Sequence, residues 1–255
     1  MRQLPPLDVH AHVATDIPKA DLESLGAVVL IATRSLADFD LVADRSDLVS
    51  VWGVGCHPSL VGVQRAFDAV GFEKALAGTP YVAEVGLDGT SRVPIATQTE
   101  ALEAILVIVD RLPRVVSLHS YKATSELLDV LSNRGSRPGR ILLWWLGDGD
   151  ETKTALDLGC YISVNYSMTR TTDTWKTIPL DRLLVETDHP HGDRFSASPR
   201  QPGRVQSVEA AIAKHHGLAI DAVRKQLWRN FARIVAETDC GQLLPHPVRS
   251  MIDSL

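Results

Sequence analysis

LDVHAH, residues 7–12, opens with apolar residues at alternate positions and closes on two imidazoles two residues apart. Side chains alternate along a strand, so His10 and His12 of such a segment share one face at its C-terminal end. Seven similar runs follow: AVVLIAT (27–33), VSVWGVG (49–55), YVAEVGL (81–87), VVSLHSY (115–121), ILLWWLG (141–147), CYISVNYS (160–167) and LLVETDH (183–189). They are near-continuous apolar runs, as expected of strands buried on both faces. Helix-compatible stretches separate most of them. In TQTEALEAILVIVDRL (97–112), Thr97 and Glu100 have capping-box spacing. SELLDVLSNRG (125–135) and DETKTALDLG (150–159, with Asp150 as a helix cap) both end on glycine. SVEAAIAKHHG (207–217) and DAVRKQLWRNFARIVAE (221–237) follow the last strand. Eight strand–helix units in 255 residues point to an α/β protein, a (β/α)8 TIM barrel forming a single domain over 1–255. The alternative is a doubly wound open sheet.

Composition excludes several classes. With 45% apolar residues the chain has ample surface to form a core, so it is not disordered. No apolar run reaches the roughly 18–20 residues that span a bilayer, and the N-terminus lacks the apolar stretch of a signal peptide, so no membrane association and a cytoplasmic location are expected. The net charge of −5 argues against a broad, sequence-independent grip on nucleic-acid phosphates, though not against a local basic patch. Three widely spaced cysteines with no CxxC argue against a disulfide framework or a zinc finger.

The nine histidines stand in informative places. Asp8, His10 and His12 end the first run; His57 follows the third in GCHP; Glu84 lies in the fourth, followed by Asp88; His119 lies in the fifth; Glu186 and Asp188 lie in the eighth. In a barrel the C-terminal strand ends converge on one mouth, where active sites of this architecture lie. Neutral imidazoles and carboxylates together form a mixed site for a catalytic divalent ion with open positions. Such an ion lowers the pKa of its water. Asp188, at the rim, is placed to take the proton.

These segments carry a resemblance in register along nearly the whole chain. LDVHAHV resembles the opening DxHxH of the TatD family of metal-dependent hydrolases, amidohydrolase-like TIM barrels. GVGCHPS resembles that family's GxHP turn, VAEVGLD its GE-x-GLD segment, SLHSYKA its VHxR segment, and CYISVNYS its YISxSG strand. LLVETDHP resembles its LLxETD-x-P, and WRNFARIV its closing NxxRLF helix. The resemblance implies that His10, His12, Glu84 and Asp188 hold one metal ion. Glu84 would bridge to a second ion that His119 also binds, and Asp188 and Glu84 would be the catalytic carboxylates. It further implies one or two divalent ions (zinc, manganese or magnesium), with His57 facing a substrate oxygen and Asn230 a packing residue. The implied activity is that of a deoxyribonuclease, with DNA or another phosphodiester as partner.

Two departures modify this expectation. The family's strand-six HCFxG, whose histidine ligates the second ion, reads LLWWLGDG here, with Trp144 in the histidine's place. Indole has no lone pair for a metal. Asp148, His189 and His191 are the nearby candidate substitutes. In SLHSYKA, Tyr121 and Lys122 stand where the family has arginine, so a bidentate phosphate contact gives way to single donors. Arg194, Arg200 and Arg204 could compensate. Tyr121, Lys122 and Trp144 join His57 as candidate substrate contacts, Trp144 by stacking on a base or sugar. The alternatives to a nuclease are a hydrolase of a small ester, amide or phosphoester, or a non-catalytic subunit of a larger assembly.

Overall fold

The structure, a computed structural model, describes residues 3–196 and 200–255. All eight anticipated runs form strands: β1 (Leu7–Ala11), β2 (Val28–Ala32), β3 (Ser50–Gly53), β4 (Tyr81–Gly86), β5 (Val115–His119), β6 (Arg140–Leu142), β7 (Tyr161–Val164) and β8 (Leu183–Val185). They pair in parallel and in chain order, β1 to β3 and β4 to β8. Backbone bonds join the two sheets. At β3–β4, Val54 N–H donates to the Tyr81 carbonyl (3.1 Å) and Ala83 N–H to the Val54 carbonyl (3.0 Å). At β8–β1, Asp188 N–H donates to the His10 carbonyl (2.9 Å) and His12 N–H to the His189 carbonyl (3.0 Å). The strands thus close into a barrel with helices outside.

Period-two alternation divides the core. Val9, Leu30 and Tyr81 face inward, while Val29, Ile31 and Val82 pack outward with helix residues such as Leu102 and Ile212. The helix Ile220–Thr238 closes the foot of the barrel with Trp228 and Phe231. Asn230 anchors it there, donating to the carbonyls of Leu180 and Leu183 (2.8 and 2.7 Å) beside the start of β8. With the foot plugged, the mouth is the open end.

The local expectations fail at several helix and strand ends. The helix Ile95–Arg111 begins at Ile95, after Pro94, so Thr97 and Glu100 lie within it and form no capping box. Proline's fixed φ starts the helix two residues earlier. Asp148, not Asp150, caps the helix Gly149–Asp157, because Asp148 has a glutamate three residues on. Every strand is shorter than its run, three of them by half or more: β8 stops at Val185, so Glu186 and Asp188 lie just past its end rather than in it. β6 stops at Leu142, before Trp144 adopts φ 38°. β7 stops at Val164 because Asn165 caps a helix, Tyr166–Thr171.

Candidate metal centre

The mouth is a cavity of about 1500 Å³ whose wall includes His12, His57, Glu84, His119 and Asp188. Three devices aim these groups inward. The β1 alternation places His10 and His12 together. In β4 the pairing register shifts between Val82 and Val85, so Glu84 escapes strict alternation and turns into the mouth. Asp188, at φ 42°, turns its carboxyl back over the end of β1 while its N–H closes the barrel.

His10 Nε2 lies 3.2 Å from His12 Nε2, and 3.6 and 3.9 Å from Glu84 Oε2 and Asp188 Oδ1. His12 Nε2 lies 3.2 and 3.8 Å from the same two oxygens. Ligands about 2.0–2.1 Å from one ion, at a tetrahedral angle, stand about 3.4 Å apart. The donor atoms of His10, His12 and Glu84 therefore have the spacing of a shared coordination shell, and Asp188 Oδ1 stands beside the two imidazoles at its edge.

The hydrogen bonds behind His10 support this. Tyr81 Oη donates to the Val9 carbonyl (2.9 Å), which can only accept. The phenol oxygen then accepts from His10 Nδ1 (3.1 Å) and from Ser117 Oγ (2.6 Å). With its proton on Nδ1, His10 presents a bare Nε2 to the other three groups. Burial pushes the ring down to about 4, so it stays neutral near pH 7.

The two carboxylates differ in their surroundings. Burial, with Glu186 and Glu84 close by, lifts Asp188 well above the usual carboxylate range. Burial also opposes the charge on Glu84, but His119 above all outweighs it and holds Glu84 well below that range. A divalent ion between the two carboxylates would relieve their repulsion. The residues present fit a metal.

His119 stands across Glu84 from His10. Its Nδ1 meets Glu84 Oε1 at 2.6 Å and its Nε2 faces Asp88 Oδ2 at 3.4 Å. Burial alone would lower it, but the two carboxylates raise it to about 10. Thr90 N–H and Oγ1 fix Asp88 at 2.8 and 2.6 Å. His57 Nε2 lies 3.4 Å from Glu84 Oε2. The six residues His10, His12, His57, Glu84, His119 and Asp188 are thus brought together.

Of the other candidates, Trp144 and Tyr121 line the cavity. Lys122 is exposed, its ammonium 5.7 Å from the Tyr121 ring, and is absent from the cavity wall. Arg194 lines the cavity, its guanidinium 5.6 Å from the Trp144 ring. Arg200 instead bonds the Pro190 carbonyl and Arg204 bonds Gln201. Asp148 is spent on its helix cap, and His189 Nδ1 pairs with Asp193 (2.8 Å). His191 lines the cavity but joins neither ligand cluster among the described residues. Asp8 is no ligand: its carboxylate accepts from Thr187 N–H and Oγ1 and from Gly203 N–H, tying β1 to the segment after β8. Sequence reasoning missed Tyr81, Ser59 and Arg34, all at the site or directly behind it. Tyr81's inward parity in β4 was the one available signal.

Comparison with known proteins places the chain among metal-dependent hydrolases. The family model "TatD related DNase" matches residues 7–249. "Uncharacterized metal-dependent hydrolase YcfH" of Escherichia coli K12 is 28% identical over 207 residues, covering 76% of each chain. "3'-5' ssDNA/RNA exonuclease TatD" of Edwardsiella piscicida is 29% identical over 203 residues, covering 74% of this chain and 75% of that protein. The crystal structure of YJJV, a TatD homologue from Escherichia coli, superposes with TM-score 0.76 at 20% identity, over 89% of this chain and 97% of the other. This chain belongs to the TatD-related DNase family of metal-dependent hydrolases.

Proposed function

We propose that the chain, acting as one barrel domain over 1–255, is a deoxyribonuclease that hydrolyses phosphodiester bonds. The observation that carries this is the set His10, His12 and Glu84, whose donor atoms stand 3.2–3.6 Å apart, with Asp188 Oδ1 3.8–3.9 Å from the two imidazoles, at the base of an open cavity. A divalent ion held there supplies Lewis acidity toward a phosphoryl oxygen and an acidified water. The protein's own groups do the rest. Asp188 Oδ1 stands at the edge of that set, 3.8–3.9 Å from the two imidazoles, so it is placed to take a proton from an attacking water. The Arg34 and Arg194 guanidinia line the wall and offer forked donors to phosphate oxygens, restoring what Tyr121 and Lys122 do not supply. The Trp144 ring, flanked by Arg194, offers a face for a base. A substrate of this size and charge makes use of a 1500 Å³ mouth better than a small neutral ester does.

The test uses the metal-stripped chain, reloaded separately with zinc, manganese or magnesium. Substrates are end-labelled single-stranded DNA and, in parallel, small aryl esters, amides and phosphoesters. We expect mononucleotide release that depends on metal and falls at least a thousandfold, on the order of removing a unit of the catalytic set, in Asp188→Asn. Turnover confined to the small substrates would overturn the nuclease reading. Full activity in Asp188→Asn would overturn the assignment of the centre.

A further inference from the structure

The described residues offer two groups of side chains close enough to share an ion: His10, His12 and Glu84, and His57, Glu84 and His119. They differ in where the imidazole protons lie. His57 Nδ1 receives the backbone N–H of Ser59 at 3.1 Å, with Ser59 Oγ also 2.9 Å away. A backbone N–H can only donate, so His57 Nδ1 carries a lone pair and no hydrogen. The ring proton is therefore on Nε2, the nitrogen that faces Glu84 Oε2 at 3.4 Å. His10 is wired the opposite way: its Nδ1 donates to Tyr81 and its Nε2 is bare.

The second group also lacks a substitute for His57. His119 meets Glu84 through Nδ1 and Asp88 through Nε2, on opposite edges of its ring, so one ion cannot engage all three. Trp144, the residue that reaches the cavity just past β6, has no lone pair to give. Asp148, His189 and His191 are in neither group.

From this we infer that the centre holds one ion, not two, and that the His57 Nε2–H is a fixed neutral donor standing where a second cation would bind the substrate's oxygen. The inference rests on the metal-dependent reading above and deepens it. The donor set of the single ion is His10, His12, Glu84 and Asp188. His57 contributes direction rather than charge: Ser59 holds the ring so that its N–H points at the edge of that set. An oxygen bearing partial negative charge next to the ion is the group it would bind.

The experiment counts ions and reads the tautomer. Metal-stripped chain is saturated with zinc, freed of excess by gel filtration and analysed by elemental mass spectrometry. One zinc per chain is expected, and still one in His57→Ala. Nitrogen-15 spectra of the histidine rings should show His57 with a non-protonated Nδ1 and a protonated Nε2, unchanged by zinc. Turnover of the phosphodiester substrate in His57→Ala should fall on the order of a hundredfold, the effect of losing one oxyanion donor, with the zinc count intact. Two zinc ions in the wild type, falling to one in His57→Ala, would overturn the inference and leave the hydrolase reading standing. So would loss of the Nε2 proton of His57 on zinc loading. A zinc count of zero would overturn both.

Discussion

Replacing Tyr81 by phenylalanine tests whether the centre is organised by the hydrogen bonds beneath it. The phenol is completely buried and its oxygen meets three partners, His10 Nδ1, Ser117 Oγ and the Val9 carbonyl. Deleting it creates almost no cavity, so the effect is polar. A buried donor or acceptor left unsatisfied costs about 1–3 kcal/mol. The His10 N–H has no other partner, whereas Ser117 can turn its hydroxyl, so a total of about 2–4 kcal/mol in stability is expected. The sharper effect concerns the ion. Without the phenol, nothing holds the His10 proton on Nδ1, and the tautomer with the proton on Nε2 cannot ligate. Loss of a partner behind a metal-binding histidine costs about 10–100-fold in metal affinity, or about 1.4–2.7 kcal/mol. Urea unfolding of the metal-free protein reads the first quantity, and competition with a chromogenic chelator reads the second. Ser117→Ala is the control: it removes one donor to the phenol and leaves the His10 bond, so its metal affinity should match wild type. A folded Tyr81→Phe protein with wild-type zinc affinity would refute the reasoning, because His10 would then be oriented by something else.

Two further outcomes follow from groups around the barrel. Burial raises the Glu186 carboxyl to about 7, and its Oε2 is buried with no hydrogen-bond partner, so the folded metal-free protein binds a proton there that the unfolded chain releases near 4.5. A raised acid stabilises at low pH and that contribution fades as pH rises: metal-free stability should fall by up to about 3 kcal/mol between pH 4.5 and 7. In Glu186→Gln the slope in urea titrations across this range should become shallower by that amount, the remainder coming from Asp8, raised to about 6 by burial, and from Asp188; an unchanged slope would show that Glu186 does not contribute. Gly86 has φ 137°, and a Cβ there would lie 2.2 Å from the His119 carbonyl oxygen, so Gly86→Ala should destabilise by at least about 3 kcal/mol, read as a fall in melting temperature of about 6–12 °C. Gly62, with open space around its Cβ position, is the matching neutral site, and equal losses at both would discount the close approach.

How much of this was legible in the sequence depended on the range of the interactions. The eight strands were legible because each is a local apolar run, and their order fixed the barrel. The HxH pair was legible because two-residue spacing alone sets a shared face. Helix starts were less so: Thr97 and Glu100 have the right spacing, but Pro94 ends the loop first, and that competition is invisible to a spacing rule. Asp148 is the converse case. Its glutamate partner, Glu151, lies three residues on, so the cap was readable although Asp150 was chosen. Glu84 was found as a residue type, yet its inward direction comes from a register shift in β4 that no local pattern announces.

The least legible element was the wiring of the imidazoles, which matters most for chemistry. His10 and His57 are the same residue type in the same cavity, and a sequence assigns them roles only by analogy. Their partners separate them. Tyr81 lies 71 positions from His10 and meets it only because β4 crosses beneath the mouth, and its phenol, committed to the Val9 carbonyl, leaves His10 with a bare nitrogen toward the ion. Ser59 lies two positions from His57 and its amide leaves His57 with an N–H toward the same point. Under the proposal above, one is a ligand and the other a donor. The proposed substrate is an anion, and the chain has net charge −5. The cavity wall carries Asp16 and Asp38 as well as Arg34 and Arg194, so the two arginines would have to meet an anion at close range, beside those carboxylates. The local field at the mouth is then set by those few groups rather than by the total charge, which solvent and salt screen beyond about 8–10 Å.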